Sequence, residues 1–174
     1  MLVLYLFSLF FYIGICQSRP VIGILSLPSG FKSYSSSQYS YIFTSYVQYL
    51  ESQGASTVVI KYTWSDAKLL STLKQINGLL IPGGGANLIE KNGRMSQFAT
   101  KGHFLIEAAI ALNREGYYFP VWGTCLGFEL MLMKGDPSSN KILSLRDGQN
   151  HLGGVHLITD KVKESRMMSV FSED

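Results

Sequence analysis

The sequence predicts an α/β domain built around a parallel sheet. Three observations carry that expectation. Short apolar runs of four or five residues recur along the chain, the length and composition of strands buried on both faces. Segments with helical periodicity lie between them, as strand–helix–strand crossovers require. Glycine-rich turns follow two of the runs, at the edge where open α/β sheets bind ligands.

The elements follow in order. Val21-Ile22-Gly23-Ile24-Leu25 is a first buried strand, entered from Arg19-Pro20. Pro28 to Ser40 is a loop rich in Ser, Gly and Tyr. From Tyr41 to Gln53 apolar residues return at helical spacing (Tyr41, Ile42, Ser45, Tyr46, Tyr49 and Leu50), and Gly54 closes the helix as a C-terminal breaker. Thr57 to Ile60 is the second strand. Ser65-Asp66 opens a helix running to Ile76, with Leu69, Leu70 and Leu73 turned inward. Gly78 to Ile81 is a third strand, followed by Pro82-Gly83-Gly84-Gly85. A longer helix is predicted over Met95 to Asn113, a fourth strand over Tyr118 to Trp122, and a helix over Phe128 to Met133. Lys141 to Leu145 and Val155 to Thr159 are candidates for further strands. There is no repeat, low-complexity tract or interdomain linker.

At 174 residues the chain has the length of one domain. An apolar fraction of 47% with 16% charged residues fits a globular core and excludes a disordered chain. The net charge of +3 comes from scattered residues with no Lys/Arg run, so no nucleic-acid footprint is expected. Leu2 to Ile15 is almost wholly apolar, and Gly14 and Cys16 place small residues before Gln17. This pattern predicts a signal peptide over residues 1–16, although the usual positive n-region is missing. The stretch is shorter than the roughly 20 residues that span a bilayer, so no stable membrane anchor is expected. Cleavage after Cys16 leaves Cys125 as the one thiol of the mature chain, without an internal disulfide. No Asn-x-Ser/Thr sequon is present.

Gly123-x-Cys125-x-Gly127 between a strand and a helix is the cysteine form of a nucleophile elbow. A nucleophile at the tip of so sharp a turn needs small residues two before and two after it. The following helix directs its N-terminal dipole at the sulfur and favours negative charge there. The backbone N–H of Leu126 is then placed to meet an oxyanion, and Gly83 or Gly84 is a candidate for the second donor. The plain alternatives are a buried structural cysteine and an ordinary tight turn.

Four stretches carry a resemblance: Arg19-Pro20-Val21-Ile22-Gly23-Ile24; Ser45-Tyr46-Val47-x-Tyr49-Leu50-Glu51-Ser52-x-Gly54-Ala55; Ile76 to Gly84; and Tyr118 to Glu129. Together they resemble folate γ-glutamyl hydrolases, a family of class I glutamine-amidotransferase-like cysteine peptidases. The likeness runs from Arg19 to about Phe171 and includes Gly153-Gly154-x-His156 and Ser165-Arg166-Met167. It implies the three-layer, parallel-sheet fold of that class, in a partial domain over residues 19–174 that is incomplete at its C-terminal end. The implied activity is that of a cysteine-type omega-peptidase cleaving γ-glutamyl bonds of folylpoly-γ-glutamates through a Cys125 thioester. No cofactor and no metal are implied. The expected partner is a folylpoly-γ-glutamate or other γ-glutamyl peptide, with a homodimer left open. The expected location is secreted, lysosomal or vacuolar.

The family's general-base histidine lies in a Gln-Trp-His-Pro-Glu type segment, and no such pattern follows Cys125. Of three histidines, His103 is expected at the surface or as a cap, His151 falls in a loop without an assigned role, and His156 matches a position near the substrate. General acid–base help contributes about 10²–10⁴-fold, so the 174-residue form is expected to be nearly inactive. Two other functions compete: a non-catalytic binder of γ-glutamyl ligands, and a glutaminase-type amidotransferase domain, which an export signal disfavours.

Overall fold

A computed structural model describes residues 19–135 together with Ser165. Four strands form the main sheet: β1 (Val21–Leu25), β4 (Ser56–Ile60), β5 (Gly78–Ile81) and β6 (Val121–Gly123). Every pairing is parallel and the spatial order is β4-β1-β5-β6. Helices alternate with the strands: α1 (Thr44–Ser52), α2 (Asp66–Leu73), α3 (Gln97–Arg114) and α4 (Leu126–Gly135). The predicted α/β class is the one that forms.

Sheet register assigns the faces. Leu25, Ile60, Leu79 and Ile81 join one buried cluster with Leu69 and Leu73 of α2, Phe98, Leu105 and Ala109 of α3, and Leu126, Leu130 and Met133 of α4. Strand residues of opposite parity, Ile24 and Leu80, are also buried but lie outside that cluster. They face the side covered by α1, a helix with no fully buried residue of its own. Gly102 lets α3 and α4 close on each other, because a β-carbon there would overlap the Leu130 side chain. Lys101–Asp66 (2.6 Å) and Lys134–Glu107 (2.8 Å) then pin α3 to α2 and α4 at the surface, each worth at most about 1 kcal/mol.

Element boundaries differ from the sequence reading for identifiable reasons. The first helix begins at Thr44 because Ser40–Tyr41 (β3) pairs antiparallel with Leu27–Pro28 (β2) and closes the Ser/Gly/Tyr loop. The second helix is capped as expected, with Ser65 Oγ accepting from the Lys68 amide at 3.3 Å. It stops at Leu73, where Gln75 and Ile76 turn back to Thr72 and Leu73 in tighter three-residue bonds. Leu70, expected inward, is 40% exposed, and Thr72 takes the inward position. Its hydroxyl is satisfied by the Lys68 carbonyl at 2.9 Å.

The fourth strand is shorter than its apolar run. Asn113 at the end of α3 clamps Phe119, donating to its carbonyl (2.7 Å) and accepting from its amide (3.1 Å). With Phe119 held by a side chain, the ladder starts only at Val121, and Tyr117 and Tyr118 are exposed. The last helix begins two residues earlier than predicted, at Leu126. The predicted leader over residues 1–16 and the candidate strands at 141–145 and 155–159 lie outside the described residues.

Candidate active site

The site is assembled at the carboxyl edge of β5 and β6. Register pairs Leu79 with Val121, Leu80 with Trp122 and Ile81 with Gly123. Thr124 extends the pairing by donating its amide to the Ile81 carbonyl at 3.1 Å. The chain then reverses. Cys125 has φ of 50°, the only positive φ of a non-glycine residue among those described. Such a conformation costs about 1–3 kcal/mol and persists only where the surrounding structure enforces it.

The neighbours that enforce it are visible. A β-carbon on Gly127 would run into the Ile81 carbonyl, and one on Gly123 would sit 2.7 Å from the Gly127 backbone. Both flanking glycines are therefore required by backbone-to-backbone contact. The Thr124 and Cys125 carbonyls accept the first helical bonds from Gly127 (2.9 Å) and Glu129 (3.0 Å). The thiol is exposed and stands at the N-terminus of α4, where the helix dipole favours negative charge.

The second glycine turn meets the first. A β-carbon on Gly83 would lie 3.0 Å from Cys125 Cβ, 3.0 Å from the Tyr46 hydroxyl and 3.3 Å from the Thr124 carbonyl. On Gly84 it would press into Leu27 at 2.6 Å. The Gly83 amide donates to the Tyr46 hydroxyl at 2.9 Å. Among the described residues, no acceptor takes the amides of Gly84 or Leu126. An open cavity of about 420 Å³ is lined by Tyr46, Tyr49, Leu80, Trp122 and Thr124, the residue before Cys125. The Trp122 indole donates to Thr124 Oγ1 at 3.2 Å. A cavity of about 450 Å³ near Asn77 and Tyr117 lies by the opposite edge of the sheet, away from Cys125.

Of the residues singled out from sequence, Cys125, Leu126, Gly83 and Gly84 come together. His156 and His151 lie outside the described residues. His103 is neither a cap nor a free surface group. It is half-buried between α3 and α4, with Nε2 at 3.1 Å from the Leu130 carbonyl. Burial, opposed by that bond and assisted by Lys134, holds its pKa below the ordinary histidine value. Tyr46 is the contributor that sequence reasoning missed. Helical spacing marks it as an inward apolar residue, and no local pattern ties its hydroxyl to an amide 37 residues away. Among the described residues no cluster of His, Cys, Asp and Glu could hold a metal.

Fold and turn together define an α/β protein with a cysteine elbow at the carboxyl edge of a parallel sheet. The chain belongs to the peptidase C26 family, which it matches over residues 20–156. It is 39% identical to gamma-glutamyl hydrolase B of Dictyostelium discoideum over 71% of this chain and 37% of that protein. To gamma-glutamyl hydrolase of Mus musculus it is 35% identical over 89% of this chain and 46% of that protein. The Homo sapiens gamma-glutamyl hydrolase is 39% identical over 67% of this chain and 35% of its own length. The chain thus spans less than half the length of these relatives. No helix among the described residues is long and apolar enough to cross a membrane.

Proposed function

We propose that this chain carries the nucleophile half of a thiol hydrolase for γ-glutamyl bonds, with folylpoly-γ-glutamates as the substrate class. One observation carries the reading: an exposed thiol held at positive φ on the strand–helix turn, against a second glycine turn. A structural cysteine has no need of that strain, and an inert one is usually buried. The names of the relatives supply the bond type.

In the proposed step the Cys125 sulfur attacks the γ-carbonyl carbon. The carbonyl electron pair moves onto oxygen, where the Leu126 amide and the Gly83–Gly84 turn offer donors. Collapse expels the amine, which must gain a proton, and water then hydrolyses the thioester. Among the described residues His103 cannot supply that proton from its place against Leu130. His156 is proposed to contact substrate, on the resemblance alone. The apolar run ending at Gly14-Ile15-Cys16 supports export through a leader cut before Gln17.

The test separates attack from proton delivery. A γ-glutamyl p-nitrophenyl ester releases phenolate, which needs no proton. The 174-residue chain is expected to give a burst of one p-nitrophenolate per molecule and a glutamyl mass adduct on Cys125, both absent in Cys125→Ala. A burst that survives Cys125→Ala, or no burst from folded protein, overturns the reading.

A further inference from the structure

Tyr46 lies in the site without a role in the step above. Its hydroxyl accepts the Gly83 amide at 2.9 Å. The same hydroxyl and Cys125 Cβ each lie 3.0 Å from one point, the position a Gly83 β-carbon would take. The two are therefore separated by at most twice that distance, within reach of a single carbonyl group. Tyr46 lines the 420 Å³ cavity with Trp122 and Thr124, the residue before Cys125, and its ring leans on Phe43, with ring centroids 6.5 Å apart.

Two consequences follow from hydrogen-bond accounting. The Gly83 amide has one proton, and Tyr46 already takes it. The hydroxyl, having accepted, retains its own proton, and among the described residues nothing accepts it. An O–H that accepts a bond from an amide is polarised into a better donor. A group of that kind beside a nucleophile, facing a cavity, is what a developing oxyanion requires.

We infer that Tyr46 is a catalytic residue whose hydroxyl donates to the γ-carbonyl oxygen of the substrate as Cys125 attacks. The inference rests on the proposed acyl transfer and deepens it. The Gly83 amide acts through the phenol, while Leu126 and Gly84 donate directly.

Tyr46→Phe tests it, since the ring and its packing on Phe43 are kept. Two rates are measured on the 174-residue chain. One is acylation by the γ-glutamyl p-nitrophenyl ester: the sulfur–carbon bond forms, the carbon–oxygen bond breaks and phenolate leaves with its electron pair. The other is reaction with methyl methanethiosulfonate, which transfers a methylthio group to the sulfur, releases methanesulfinate and involves no carbonyl. Tyr46→Phe is expected to slow acylation by about 100-fold to 1000-fold, with the methylthio transfer unchanged and melting within a few degrees of the parent. An equal fall in both rates means that Tyr46 only shapes the turn, and overturns the inference. So does unchanged or faster acylation, the latter meaning that a freed Gly83 amide is the better donor. If the parent chain takes the methylthio group but gives no acyl burst, the γ-glutamyl hydrolase reading itself fails, and the role of Tyr46 falls with it.

Discussion

The two faces of the sheet are built to different standards. On one, Leu25, Leu79 and Ile81 meet three helices, and Leu69, Leu105 and Leu130 are completely or almost completely removed from water. On the other, α1 shields Ile24 and Leu80, while Tyr49 is 60% and Trp122 52% exposed. Close packing makes the first face intolerant of altered volume. The second has room for a cavity and a tyrosine whose hydroxyl does the binding. The thiol stands where the two meet: α4 from the packed face fixes its backbone, and α1 from the open face brings Tyr46 beside it. Stability and chemistry therefore load on different residues, and substitutions should separate them.

The widest separation is expected from Leu130→Ala and Tyr49→Ser. Leu130 is completely buried and fills the gap over Gly102, so its truncation should lower unfolding free energy by about 3–5 kcal/mol in a urea titration. Tyr49→Ser, on the open face, should change it by less than about 0.5 kcal/mol. Equal effects would mean that both faces are packed alike.

Cys125→Gly acts at the junction. Glycine adopts φ of 50° freely, so relief of backbone strain should stabilise the fold by up to about 1 kcal/mol. Iodoacetamide labelling of the peptide that carries position 125 should vanish at the same time. A variant less stable than the parent would mean that the thiol contributes packing and that the turn is not strained.

The smallest effect concerns the packed face alone. His103 has its pKa lowered, first by burial and further by Lys134, against the opposing bond to Leu130. The fold therefore prefers the neutral ring. The stability this contributes is present above the unfolded histidine value of about 6.5 and is lost as pH falls through the lower folded value. The neighbouring Glu107, with its own pKa lowered by Lys134, titrates in parent and variant alike. Between pH 7 and pH 5 the parent should lose more stability than His103→Gln, which can still donate to the Leu130 carbonyl. Parallel pH profiles would place the ring outside the packed face.

Sequence alone determined the α/β class, because short apolar runs such as Val21 to Leu25 and Gly78 to Ile81 alternate with segments of helical periodicity, as strand–helix–strand crossovers require. It also picked out the residues of both glycine turns, since a reversal as tight as the one at Cys125 admits only glycine two residues to either side. Tertiary structure decided where the elements stop. The fourth strand begins at Val121 because Asn113 holds Phe119, and a side-chain clamp leaves no trace in hydropathy. It also decided what His103 and Tyr46 do. His103 binds a carbonyl 27 residues away and Tyr46 an amide 37 residues away. Periodicity reports the face on which a side chain leaves its own helix. The partner of its polar end is set by which turns the sheet brings alongside, and that pairing exists only once the chain is folded.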